Sequence, residues 1–148
     1  MRISSKGRYA LASMVDIAGN SQCGDCITVI SIAERLGISK IYLEQVFSLL
    51  KKGGLVHSIK GAQGGYQLAR GPQQITAYDV LSVVESTLFE PADPTAAENA
   101  PEVDAAMRVL VFDELDKAVK NALRQVTLYD LVSEAEKRKS DSGYMFFI

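Results

Sequence analysis

The chain has 148 residues, 47% of them hydrophobic, and a formal net charge of −2. That length suits one domain with a buried core, while no apolar run approaches the about 20 residues needed to cross a bilayer. The polar, basic start "MRISSKGRYA" lacks an apolar leader segment, so a cytoplasmic protein with no membrane contact is expected.

Charge is unevenly spread along the chain. Residues 1–75 hold nine Lys/Arg and four Asp/Glu, a balance of +5, whereas residues 76–148 hold seven and fourteen, a balance of −7. The first half therefore suits an anionic partner and the second does not.

From Lys6 to Asn20, Leu11, Met14, Val15 and Ala18 recur at helical spacing, and "GNSQCGDC" then breaks the pattern. Ser31 and Glu34 are spaced as a capping box for a short helix that stops at Gly37. Ser39 can cap the next helix, in which Leu43, Val46, Phe47 and Leu50 form an apolar stripe and Lys51, Lys52 and Gly53 mark the end. Two helices joined by a glycine-containing turn, the second polar on its free face, make a helix-turn-helix candidate.

Two β-prone stretches follow, Leu55–Ile59 and Tyr66–Ala69, joined by "KGAQGG". The glycines permit a tight reversal. The tip carries Lys60, Gly61, Gln63, Gly64 and Gly65, slim enough to approach a phosphate backbone or a minor groove. Thr76 and Asp79 open another capped helix, and "FEPADPTAAENAPEVD" reads as a mobile acidic loop. From about Val103 to Arg124, Met107, Val111, Leu115, Ala118 and Ala122 form a stripe longer than so small a body can cover. A partner helix across a dimer axis is its natural cover. Thr127 and Asp130 start a last helix, which gives way to a tail ending in Tyr144, Met145, Phe146, Phe147 and Ile148.

The segments "ISSKGRYALASMVDIA", "IAERLGISKIYLEQVFSLLKKGGLV", "SIKGAQGGYQLAR" and "ITAYDVLSVVE" closely resemble the Rrf-two family of bacterial winged-helix transcription regulators. The resemblance is strong over residues 1 to about 88. It implies a mainly α fold with a small β-hairpin wing: a winged helix-turn-helix domain over 1–88, an acidic loop over 89–102, a dimerisation helix and final helix over 103–139, and a flexible tail over 140–148. It also implies a homodimer that sets two recognition helices in successive major grooves of double-stranded DNA, with Ser39, Lys40, Ile41, Tyr42, Glu44 and Gln45 at the start of each. Side-chain chemistry agrees for several of these. Gln45 can pair with adenine, Glu44 can accept from a cytosine amino group, Ile41 can meet a thymine methyl, and the N–H groups near Ser39 suit a phosphate. Arg2, Ser4, Lys6, Arg8 and Lys60 read as phosphate contacts that set register.

Iron–sulfur members of that family hold their cluster with cysteines between the fourth helix and the dimer helix. Here the span from Leu88 to Arg108 has neither Cys nor His, so no cofactor and no metal site are expected. Cys23 and Cys26 form a lone C-x-x-C pair, too few ligands for zinc and a candidate redox switch. With one His, no phosphate-binding Gly-Lys-Ser/Thr loop and no base beside either Cys, no catalytic residues are assigned and the chain is not expected to be an enzyme.

The missing loop cysteines and the ending "GYMFFI" resemble the cysteine-metabolism repressors of the family, which act with cysteine synthase (O-acetylserine thiol-lyase). That implies a repressor whose C-terminal Ile148 enters the enzyme's active site, as the C-terminal Ile of serine acetyltransferase does. Four alternatives stay open: a protein-interaction adaptor using the winged fold for docking, a thiol-redox regulator acting through Cys23 and Cys26, a tail that caps the protein's own dimer, and a small-molecule sensor whose ligand fills a cavity beside the long helix.

Overall fold

The computed structural model describes residues 2–21, 26–61, 64–85 and 87–146, with side chains to Ser142. Helix α1 (Ser5–Asn20) is followed by α2 (Val29–Leu36) and α3 (Lys40–Lys52), then by strands β1 (Val56–Ile59) and β2 (Gly65–Leu68). A 3-10 turn (Pro72–Gln74) leads into α4 (Ala77–Val84). The long helix consists of α5 (Pro101–Met107), a π turn (Arg108–Phe112) and α6 (Asp113–Arg124), and α7 (Leu128–Phe146) closes the fold.

One core joins α1 to α4, β1 and the start of α7. Ala10, Met14 and Ile17 of α1, Ile32 of α2, the whole expected stripe of α3 (Leu43, Val46, Phe47 and Leu50), Val80 and Val84 of α4 and Leu128 of α7 are buried together. Each large side chain contributes roughly 1.5–3 kcal/mol on burial. Leu128 shows how the carboxyl half is fastened to the rest: a bridge pairs Thr76 with Thr127, with Ala77 N–H donating to Val126 C=O at 2.8 Å and Leu128 N–H to Ile75 C=O at 2.9 Å.

The helix ends follow capping chemistry, with one correction. The Ser39 hydroxyl accepts from Tyr42 N–H, Thr76 and Asp79 form a reciprocal capping box, and Thr127 and Asp130 do the same for α7. Helix α2, however, begins at Val29 under Thr28, whose hydroxyl accepts from Ser31 N–H, so the Ser31/Glu34 capping box does not form. Ser31 lies inside the first turn and turns its own hydroxyl onto the Thr28 carbonyl. The αL residue Gly37 (φ 67°) ends α2 as its glycine predicts.

Three further differences concern the second half. The acidic loop is tied down: Thr95 and Ala96 N–H groups donate to Asp104 Oδ1 at 2.9 and 3.2 Å, and Ala100 N–H donates to Ala96 C=O. These two amides, the larger influences, hold the Asp104 carboxyl below its ordinary value, with Arg108 adding to the effect. Proline at the first helical position lets the long helix start at Pro101 rather than Val103. The last helix does not stop near Lys139; its backbone stays helical through Phe146, where a flexible tail over 140–148 was expected.

Candidate nucleic-acid interface

Helix α3, the expected recognition helix, owes its orientation to what lies beneath it. With Leu43, Val46, Phe47 and Leu50 fixed in the core, helical geometry turns Lys40, Ile41, Glu44, Gln45 and Ser48 to solvent. Ile41 is 71% exposed, which leaves its side chain available to a thymine methyl. Lys40 pairs with Glu44 at 3.6 Å across one turn, an exposed ion pair of small energetic weight. Tyr42 is half-buried and meets Tyr9 of α1 edge-to-face, ring centroids 5.2 Å apart, so it braces α3 against α1.

Beside this face the start of α1 is pinned by a buried carboxylate. Glu85, only 8% exposed at the end of α4, accepts from both the N–H of Ser4 (2.8 Å) and its hydroxyl, while the Ser4 oxygen caps α1 by accepting from Gly7 N–H at 3.1 Å. A Cβ on Gly7 would overlap Glu85 Oε1 and sit 2.8 Å from Ile3 Cγ2, so only glycine allows the approach. Arg2, Ser4, Lys6 and Arg8 remain exposed around this pin, with Arg8 donating to Ser5 Oγ at 3.1 Å. Ser4 therefore carries a structural role that its sequence position did not announce.

The first element of the helix-turn-helix, α2, is clamped to α1 by an ion pair. Arg35 reaches Asp16 with two nitrogens, Nε to Oδ1 at 2.9 Å and Nη2 to Oδ2 at 2.7 Å. Hydrogen bonding to Asp16, the largest influence, raises the guanidinium pKa, so the group stays charged. The bidentate geometry sets α2, and through the Gly37 turn α3, at a fixed angle to α1.

The wing is a two-stranded antiparallel hairpin, with Val56 opposite Leu68 and Ile59 opposite Gly65. Tyr66 stacks on Phe47, centroids 4.6 Å apart, which fixes the wing to the recognition helix. Lys60 and Gly61 (φ 143°) are exposed beyond β1. A Cβ on Gly64 would lie 2.7 Å from Ile59 C=O, and one on Gly65 would collide with the Ile27 carbonyl. Gly65 lies close because Ile27 forms a bridge to Tyr66, each N–H donating to the other's C=O at 2.8 Å. Cys26, immediately before that bridge, is half-buried.

The structure thus brings Ser39, Ile41, Tyr42 and Gln45 around one open depression together with Ser5 and Tyr9, and sets Glu44 and Gln45 beside Ser48 in the next strip of the same face. Ser5, Tyr9 and Ser48 were not singled out from the sequence. Ser48 follows Ile41 and Glu44 at helical spacing, the signal that would have found it. Gln63, Cys23, Phe147 and Ile148 lie outside the described residues. Of the expected partner-binding residues, Tyr144, Met145 and Phe146 are in the last turns of α7.

A family model, Rrf2, described as an iron-dependent transcriptional regulator, matches residues 3–134. The chain belongs to the Rrf2 (Rrf-two) family. Like the Rrf2 proteins it matches, it is a DNA-binding transcriptional regulator and not an enzyme. It is 38% identical over 139 residues to the HTH-type transcriptional regulator IscR of Cronobacter sakazakii, covering 92% of this chain and 83% of the relative. Among solved structures it is similar to CymR (YrzC), the global cysteine regulator of B. subtilis, with a TM-score of 0.72, 37% identity and coverage of 90% and 98%. It is also similar to the IscR of T. potens, with a TM-score of 0.73, 36% identity and coverage of 99% and 96%.

The Rrf2 model's iron dependence can be tested against the residues present. Between Leu88 and Arg108 the chain has no thiol and no imidazole, and Asp104 there already accepts two backbone amides. Among the described residues no group of three or more His, Cys, Asp or Glu could hold a metal ion. The loop does not fit a thiolate-bound cluster. Nor is any helix of the described residues long and apolar enough to cross a membrane.

Proposed function

We propose that this Rrf2 regulator is a homodimeric, sequence-specific repressor of cysteine and sulfur metabolism that works without an iron–sulfur cluster and is controlled by a complex with cysteine synthase. The observation that carries the dimer is the long helix: Val103, Leu110, Val111 and Leu115 are all about half exposed or more, and Leu110 reaches 73%. So much apolar surface on one helix calls for a cover, and a second copy of the same helix provides it with closed symmetry. Two recognition helices would then meet half-sites about one helical turn, roughly 34 Å, apart.

The sulfur assignment is supported by the ligand-free loop together with the likeness to a global cysteine regulator. In this reading, Arg2, Lys6, Arg8 and Lys60 set register on phosphates, while Ile41, Glu44 and Gln45 read base edges. The terminal residues Tyr144 to Ile148 are offered to the enzyme, with the Ile148 carboxylate meeting N–H donors shaped for an amino-acid substrate. Pull-down of cysteine synthase with the full chain and with a chain lacking Phe147 and Ile148 tests this. Capture by the full chain alone is the expected result; equal capture by both rejects the tail's role.

A thiol-redox reading is favoured by one observation. Cys26 directly precedes Ile27, the residue bridged to Tyr66 at the foot of the wing, so oxidation there would bear on the wing's position. Unchanged duplex affinity after peroxide treatment would reject it, and loss of affinity abolished by Cys26→Ser would favour it over control by a partner.

A further inference from the structure

A cavity of about 300 Å³ lies between the segment that follows α4 and the long helix. Its apolar lining includes Phe89, Pro91, Phe112, Leu115 and Val119. Phe89 is itself steadied by an edge-to-face contact with Tyr78, over whose ring Arg124 lies at 4.3 Å. The wall on the helix side contains the π turn, closed where Asp113 N–H donates to Arg108 C=O. Turns of this kind are rare and concentrate at functional sites. Arg108 and Phe112, its first and last residues, both line the cavity.

The charged groups around this lining are of both signs. Lys120 and Asp116 satisfy one another at 2.9 Å. Arg108 approaches Asp104 only to 3.8 Å, and Asp104 is already engaged by Thr95 and Ala96, so most of the guanidinium's donors remain available. Glu90 and Asp113 have no ion-pair partner among the described residues. The cavity therefore offers a donor fork for a carboxylate, two carboxylates for an ammonium, and an apolar floor. Its volume is at the low end for ligand sites and suits a molecule of amino-acid size.

We propose that this cavity binds a small zwitterion, an α-amino acid with an apolar side chain. Arg108 holds its carboxylate in a charge-assisted bond, Asp113 holds its ammonium, and the side chain rests on Phe89, Phe112 and Val119. Such a ligand contacts both the segment leaving the DNA-binding half and the long helix. The site stands independently of the sulfur-metabolism reading and of the tail.

Thermal unfolding of the full chain tests it, with L-leucine, L-methionine and L-phenylalanine at millimolar concentration as probes and 4-methylpentanoate and 3-methylbutylamine as single-charge analogues. At least one amino acid is expected to raise the midpoint saturably, by about 3–6 °C at a tenfold excess over its Kd. Neither analogue should do so, and the rise should vanish in Arg108→Gln and in Asp113→Asn, both with unchanged circular dichroism. Should one variant fail to fold, the other decides. The proposal is overturned if no amino acid gives a saturable shift, if the shift survives in either folded variant, or if 4-methylpentanoate matches L-leucine.

Discussion

Gly7→Ala reverses the usual effect of replacing a helix glycine. Alanine is ordinarily the better helix former by about 1 kcal/mol, so at an open position the substitution would stabilise α1. Here the added Cβ would overlap Glu85 Oε1 and press on Ile3, forcing the carboxylate off the Ser4 N–H and hydroxyl that it holds. Each charge-assisted bond is worth about 1.5–3 kcal/mol, and with Ser4 exposed enough for water to replace part of that, we take a loss of about 2 kcal/mol for the pair. Against the propensity gain, the net is a destabilisation of about 1 kcal/mol. Urea unfolding at fixed protein concentration measures it, and a double-mutant cycle isolates its cause. In a Glu85→Ala background the same Gly7→Ala change should become neutral or stabilising by about 0.5 kcal/mol. If Gly7→Ala stabilises the otherwise unaltered chain by about 1 kcal/mol, the pinning of α1 by Glu85 is wrong.

Other substitutions probe separate parts of the fold. Ser13 is fully buried in α1 and its hydroxyl has no partner among the described residues, so Ser13→Ala should raise unfolding stability by about 1 kcal/mol in the same urea assay. Arg35→Ala leaves Asp16, 6% exposed, without its bidentate partner; because Arg35 itself is 38% exposed, the cost should be about 2 kcal/mol rather than the full value for a buried pair. Asp104 has a depressed carboxyl pKa in the folded state, so its contribution is complete above the unfolded value of about 3.9 and is lost as pH falls below that through the folded value. The amide resonances of Thr95 and Ala96 should titrate together in that acid range, and Asp104→Ala should abolish their shared transition.

The helix-turn-helix and wing were legible in the sequence because each burial pattern there has one solution. Leu43, Val46, Phe47 and Leu50 occur at a spacing that only a helix brings to one side, and the glycines of "KGAQGG" mark a reversal. What the sequence did not disclose depends on pairings across long separations. Glu85 meets Ser4 81 positions away, and nothing near either residue announces it. Thr28 caps α2 in place of Ser31 because the Ile27–Tyr66 bridge fixes the chain just before it. The acidic loop reads as mobile from composition, yet one carboxylate, Asp104, restrains it through two backbone amides. The continuation of α7 through Phe146 was missed for a different reason. "RKSDSG" lacks an apolar period, and polar composition alone does not end a helix that capping and the buried Leu128 have already started.

Our proposal is that the exposed face of α3 and the wing grip duplex DNA, specifically and through phosphates. Its most direct test is the salt dependence of binding to a duplex selected from genomic fragments, measured by fluorescence anisotropy for the full chain, Gln45→Ala and Lys60→Ala. The full chain should lose affinity steeply with salt, Lys60→Ala should lower the slope by about 1, and Gln45→Ala should keep the slope while narrowing the gap between selected and scrambled duplexes by about 1–3 kcal/mol. A full chain that binds both duplexes equally, or whose slope is unchanged by Lys60→Ala, would contradict the account.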